Sequence, residues 1–352
     1  MKSKRQPIPV VRGMNRMLSA LVIGPAAALL AGCGPLEDLR EKLEPDLKPP
    51  VLLGLRAREL SLELDFDEPP FCGPEQVRAE PALEVTEARV EANRLYLACP
   101  GQAAGQRYCL ELSVADARGN ITQLAVELYG YNPAPPRLLL NEFTTQGSDT
   151  HPDLVELFAA GGGDMAGLAL YQGTAGSWDD RLVFPPFPIR AGEYILVHFK
   201  PQGLPAELDE PGDPALSGGL DASPVAYDFW VPGGRGLSGN NGVLSLYDRP
   251  GGALRDGVLY SNRTSASDTL YRGFGSAATL ARAEELAREG GWRAAEEAIR
   301  PEDAVNPDSG TATRSLCRSS ASTDSDAACD WHVVPTRGST FGMVNSDERY
   351  VP

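Results

Sequence analysis

Apolar and polar residues alternate with a period of two in several stretches of this chain. That alternation constrains its fold more than any other feature. Leu60, Leu62, Leu64 and Phe66 alternate with Glu59, Ser61, Glu63 and Asp65. One face of such a segment is apolar and the other wet, which is the pattern of a half-buried strand. Tyr108, Leu110, Leu112 and Val114 repeat it, as do Leu124, Val126 and Leu128. Between those two runs lies Asp116-Ala117-Arg118-Gly119-Asn120, a turn signal. Further strands are expected at Leu138 to Phe143, Asp153 to Phe158, Glu193 to Phe199 and Val243 to Tyr247. Short strands punctuated by 37 Gly and 30 Pro point to an all-β protein built of sandwiches.

The N-terminus reads as an export leader. Lys2, Lys4, Arg5, Arg12 and Arg16 form a basic region without an acid, and Met17 to Leu30 is apolar apart from Ser19. That run is too short to span a bilayer core of about 30 Å. Leu30-Ala31-Gly32-Cys33 then matches the lipobox of bacterial lipoproteins. The match implies cleavage after residue 32, acylation of Cys33, and membrane attachment through the lipid. Gly34 in place of an aspartate points to the outer membrane, on its periplasmic or surface face. Residues 33–50 read as a charged, Pro-ended tether.

Loss of the leader takes the net charge from −16 to about −21. A body that acidic is repelled by phosphate backbones, which argues against nucleic-acid partners. Of six cysteines, five remain once Cys33 carries lipid. In an oxidising compartment, Cys317–Cys329 is the favoured bridge; Cys99 and Cys109 are candidates to staple a hairpin, and Cys72 is an equally legal partner for either.

Two resemblances organise the rest. Residues 51–132 carry a Phe-Asp-Glu-Pro strand end (Phe66 to Pro69) and a closing Tyr…Val-x-Asp-x-x-Gly-Asn…strand (Tyr108 to Leu128), and resemble bacterial Ig-like domains. Tyr131-Asn132-Pro133-Ala134-Pro135-Pro136 reads as a boundary with a stiff linker at 133–136. Beyond it come Leu139-Leu140-Asn141-Glu142-Phe143, Asp153 to Leu157, Phe184-Pro185, Ala191 to Tyr194, Asn241 to Asp248, Asp330-Trp331, and Pro335…Gly342…Asn345. In that order they resemble a lamin tail domain over residues 137–348. The resemblance implies a second Ig-like β-sandwich in which Asn141, Glu142, Glu156, Asp330 and Trp331 occupy family positions. It departs from the compact form at about 277–300. There Leu280, Ala283, Leu286 and Ala287 share a helical face, Gly290-Gly291 stops the helix, and a second short helix is expected over Arg293 to Ile299.

The chemistry-bearing residues form no recognised catalytic pattern. His151, His198 and His332 lie in no His-Glu-x-x-His motif, and no Gly-x-Ser-x-Gly elbow occurs. His198 and His332 read as packed side chains. Gly234-Arg235-Gly236-Leu237-Ser238-Gly239 satisfies the dinucleotide fingerprint by letter, but it leads into a strand instead of a helix. Asp324, Asp326 and Asp330 are spaced as calcium candidates; Asp149 and Asp153 around His151 are weaker ones. Asn141, Glu142 and Glu156 are expected to satisfy backbone groups. The expectation is a non-enzymatic, cofactor-free envelope module binding or scaffolding a protein or glycan. The alternatives are an envelope hydrolase targeted by the second module, or a calcium-stabilised adhesin.

Overall fold

A computed structural model describes residues 46–352. The leader, Cys33 and most of the tether lie outside the described residues. The chain divides into two compact units. One runs to Gln102 and includes Arg107–Leu128; the other comprises Ala103–Gln106 and Tyr129–Pro352.

The first unit has seven strands: β1 (Leu52–Arg58), β2 (Ser61–Phe66), β3 (Val77–Glu80), β4 (Glu87–Glu91), β5 (Arg94–Ala98), β6 (Arg107–Ala115) and β7 (Ile121–Tyr129). They form sheets of order β1-β2-β5-β4 and β3-β6-β7. This is the strand order of a constant-type immunoglobulin sandwich. The alternation sets the faces: Leu62, Leu64 and Phe66 from β2 and Tyr108, Leu110, Leu112 and Val114 from β6 are all buried. Leu60 breaks the expected pattern. It lies before β2 in the turn from β1 and is 61 % exposed. The Asp116 turn closes on its own side chain, whose carboxylate accepts from the backbone N–H of Arg118 and of Asn120.

The second unit carries twelve strands: β8 (Arg137–Thr144), β9 (Leu154–Gly161), β10 (Gly163–Asp164), β11 (Ala169–Thr174), β12 (Ser177–Val183), β13 (Pro188–Ile189), β14 (Tyr194–His198), β15 (Tyr227–Trp230), β16 (Asn241–Tyr247), β17 (Leu254–Ser261), β18 (Leu316–Arg318) and β19 (Trp331–Val333). A four-stranded sheet has the order β12-β11-β16-β17 and a six-stranded one β15-β14-β9-β8-β18-β19. Val155 and Leu157 of β9, Ile195 and Val197 of β14, Leu170 of β11 and Leu244 and Leu246 of β16 share one core. The protein is therefore all-β, a pair of sandwiches.

The insertion supplies one helix among the described residues, α1 (Ala277–Arg288), packed on β11, β12 and β16. Ser276 Oγ caps it by accepting from Thr279 N–H. Gly290, at φ +84°, ends it in a Schellman motif: its own N–H reaches Ala287 O and Gly291 N–H reaches Leu286 O. Ala283 and Leu286 are fully buried. A Cβ at Gly257 of β17 would collide with the end of the Leu286 side chain, so glycine there lets Leu286 seat as it does. With a helix on one face and the core on the other, β11 is buried along its whole length. The expected second helix at Arg293 to Ile299 does not form. Trp292 and Ile299 are both pinned in the core. Between them Arg293 N–H donates to Asp326 O and Ala295 N–H to the Asp303 carboxylate, so the backbone bonds outward instead of to itself.

Neither expected disulfide is present; all five described cysteines are free thiols. Cys317 is in register with His332 across β18 and β19, and its Sγ faces His332 Nε2 at 3.6 Å. Cys329 stands exposed on a single 3-10 turn, with Ser325 beside it. Cys99 is buried, whereas Cys109 falls on the outward parity of β6 between Tyr108 and Leu110. Two thiols on opposite sides of a sheet cannot meet.

Candidate functional site: a cleft on the outer face of the six-stranded sheet

The parity that sends Val155, Leu157, Ile195 and Val197 into the core sends Leu154, Glu156, Leu196 and His198 to the other face of the sheet. There Leu154, Leu196 and Ala226 form a satellite apolar cluster, joined by Tyr194 and Phe341. Over it opens a cleft of about 560 Å³, with Leu154, Leu196 and Phe341 in its lining. That volume lies within the range of small-ligand sites.

One wall is a polar pair. His151 Nδ1 lies 3.0 Å from Asp221 Oδ1. Thr313, Arg337 and Ser339 also line the cleft. Arg337 N–H donates to Thr313 O at 2.8 Å. Asp221 and Arg337 both hold left-handed backbone, φ +59° and +63°. That conformation is uncommon for non-glycine residues.

The wall at Ser339 and Phe341 belongs to a strap tied down from below by two carboxyl groups. Glu142 and Glu156 are cross-strand partners of β8 and β9, and both side chains are fully buried. Glu142 accepts from the Ser315 hydroxyl, from Thr340 N–H at 2.9 Å and from Thr340 Oγ1–H at 2.8 Å. Glu156 accepts from Gly342 N–H at 2.6 Å and from Asn141 Nδ2–H at 2.7 Å. Asn345 extends the network, donating to the carbonyls of Asn141 and Arg318. Ser339 and Phe341 thus line the cleft while Thr340 and Gly342, which alternate with them along the chain, are held by the pair. Burial pushes the Glu156 carboxyl well above the usual range, and the neighbouring Glu142 charge adds to it. Burial also raises Glu142, against the Ser315 and Thr340 donors. Buried under the strap, these carboxyls are engaged by backbone and side-chain donors that tie the strap to the sheet.

The other singled-out residues are engaged elsewhere. His198 Nε2 meets Asp228 Oδ1 at 2.7 Å, and its ring stacks on Trp230 at 3.7 Å. His332 Nε2 lies 2.9 Å from Ser346 O. The Gly234 to Gly239 stretch is a loop entering β16, and Leu237 N–H within it donates to Asp153. Asp153 also accepts from Gly147 N–H, and Asp149 pairs with Lys200, so neither aspartate faces a common centre with His151.

At the calcium candidates Asp324, Asp326 and Asp330 the fold places a cation of its own. Arg318, fully buried, sends its guanidinium to Asp324 at 2.9 Å, Asp256 at 3.3 Å and Asp330 at 3.4 Å. It also donates to the carbonyls of Leu140 and Thr323, and its guanidinium carbon lies 4.8 Å from the Trp331 ring centroid. Asp324, Asp326 and Asp256 do bring one oxygen each within 4.8 Å of one another. Asp330, besides meeting Arg318, accepts from Ser325 N–H and Oγ–H. The sequence reading missed Asp256 and Arg318; Asp256 lies 62 positions from Arg318, and nothing in the local pattern of the acidic loop points to either. It also missed Asp221 and Arg337, which carry no local motif.

One family model matches, over residues 136–333: TP_1001_2nd, described as a protein second domain. The matched span begins beside β8 and ends with β19, the strands of the second sandwich. No curated protein matches the chain.

Proposed function

We propose, for a chain that belongs to the TP_1001_2nd family with its second domain at residues 136–333, the role of a lipid-anchored envelope protein that binds a ligand without transforming it. In this reading Cys33 carries the lipid and the tether holds two sandwiches off the outer membrane. The second, lamin-tail-like sandwich does the binding. One observation carries it: an open cleft of about 560 Å³ with an apolar floor and a polar rim, on a rigid sheet face. The motif order from Leu139 to Asn345 supports the lamin-tail comparison, and Leu30-Ala31-Gly32-Cys33 supports the anchor.

Two measurements test the proposal. Metabolic labelling with an alkyne fatty acid should tag the chain and fail for Cys33→Ala. Absence of label on the wild type ends the anchor reading. Methyl NMR of the full-length chain with an apolar probe such as 3-phenylpropan-1-ol should shift Leu154 and Leu196. No shift at millimolar probe ends the cleft reading.

A second reading, an envelope hydrolase, rests on the His151–Asp221 pair, which joins Nδ1 to a carboxylate as acyl-transfer triads do. Among the described residues no hydroxyl hydrogen-bonds to His151 Nε2. Covalent labelling by a fluorophosphonate, lost in His151→Ala, would favour this reading over the first.

A further inference from the structure

We infer that the cleft takes a carboxylate carried on an apolar group, with Arg337 as the carboxylate's partner. The inference rests on reading the cleft as a ligand site, and it follows from how charge is balanced there. Three ionisable side chains line the cleft: His151, Asp221 and Arg337. Asp221 is already engaged by His151 at 3.0 Å. Arg337 makes no ion pair among the described residues.

Some arginines of this chain find an acid, as Arg56 does with Asp65 and Arg300 with Glu296, and others on the surface, such as Arg78, Arg137 and Arg288, make no ion pair among the described residues; Arg337 is set apart by lining the cleft. In a protein of net charge −16, an unclaimed guanidinium beside an apolar floor marks a place where negative charge is supplied from outside. Arg337 is also held in position, by its left-handed backbone and by its N–H bond to Thr313 O. A guanidinium offers a planar fork that matches a carboxylate in two parallel hydrogen bonds. Leu154, Leu196 and Phe341 then cover the apolar part of the ligand.

The same balance excludes other classes. A polyanion needs several cations, and the acidic body repels it. A cationic ligand meets Arg337 unshielded. A neutral apolar molecule satisfies the floor but leaves the guanidinium unused.

The carboxylate has two sources, a free alkyl or aryl acid and the C-terminal residue of a polypeptide. Titration calorimetry of the full-length chain separates them with four probes: 3-phenylpropanoate, 3-phenylpropan-1-ol, the peptide Gly-Gly-Phe and its C-terminal amide. The acid is expected to bind about tenfold more tightly than the alcohol, about 1.4 kcal/mol, because only the acid forms the charge-assisted pair. The Arg337→Gln variant, altered only at an exposed side chain, should lose that preference and keep its alcohol affinity. A preference for the free peptide over its amide, also lost in Arg337→Gln, assigns the polypeptide C-terminus. Preference among the small probes alone assigns a free acid. Equal binding of acid and alcohol by the wild type, or an undiminished preference in Arg337→Gln, overturns the inference while leaving the cleft a ligand site. Binding of none of the four overturns the cleft reading as well.

Discussion

Replacing Arg318 by methionine should be among the most damaging conservative-volume changes in the second domain. The reason is what it leaves behind. Arg318 and Asp256 are both fully buried, and the guanidinium serves Asp256, Asp324 and Asp330 together with two carbonyls. Removing one member of a buried ion pair costs about 3–5 kcal/mol, because the remaining charge cannot return to water. Asp324 can be re-hydrated; its side chain is 25 % exposed. Asp256 cannot. For a domain of this size, a loss of about 3–5 kcal/mol lowers the melting midpoint by roughly 6–20 °C. The deficit should also depend on pH. Burial pushes the Asp256 carboxyl up to about 7, against the pull of Arg318. A folded-state pKa above the unfolded value gives stability that is full below the unfolded value, here 3.8, and is lost as pH rises through the folded one. Without Arg318 the folded value climbs further. The Arg318→Met deficit should therefore be large at pH 8 and shrink at pH 5, where Asp256 takes a proton. Differential scanning calorimetry at both pH values measures this. The double variant Arg318→Met/Asp256→Leu should recover most of the loss at pH 8. A deficit under about 1 kcal/mol, a deficit equal at both pH values, or no recovery in the double variant would refute the reasoning.

Glu156→Gln removes the second charge of the buried pair while keeping an acceptor for Gly342 N–H. Because the folded Glu156 carboxyl lies well above 4.5, wild-type stability should fall as pH rises past that value, and the variant's melting curve should be flatter and higher at pH 8. Leu286→Ala removes a fully buried side chain that sits over Gly257 and should cost about 2–5 kcal/mol by chemical denaturation. Native alkylation followed by mass spectrometry should modify Cys109 and Cys329 first. Cys99, whose thiol is pushed up to about 11, and Cys317 should react only after unfolding.

Parts of the architecture are local and could be read directly from the chain. Leu62, Leu64 and Phe66, or Tyr108 to Val114, carry their faces in the alternation itself, since successive side chains of a strand must point oppositely. Helix α1 was legible in the spacing of Leu280, Ala283 and Leu286 and in Gly290-Gly291. The outward parity of Cys109 was equally legible, set by its neighbours Tyr108 and Leu110, and it already argued against pairing with Cys99. The absent helix after Trp292 was not legible, because Asp303 and Asp326 reach that backbone from outside the segment.

The residues of the cleft come together from separate stretches, around 144–154, 196, 221–224, 312–313 and 337–341. No periodicity links them, and neither left-handed position is a glycine that would have announced itself. The acidic loop gives the same lesson with opposite sign. Asp324, Asp326 and Asp330 read as a place for a cation, and only packing reveals that Arg318 brings one from β18. Alternation, turns and helix stops are set by residues a few positions apart, so the chain alone determined which segments become strands and which faces turn inward. Contacts between distant segments depend on the folded geometry, so only the tertiary structure decided which charges meet and where a ligand has room.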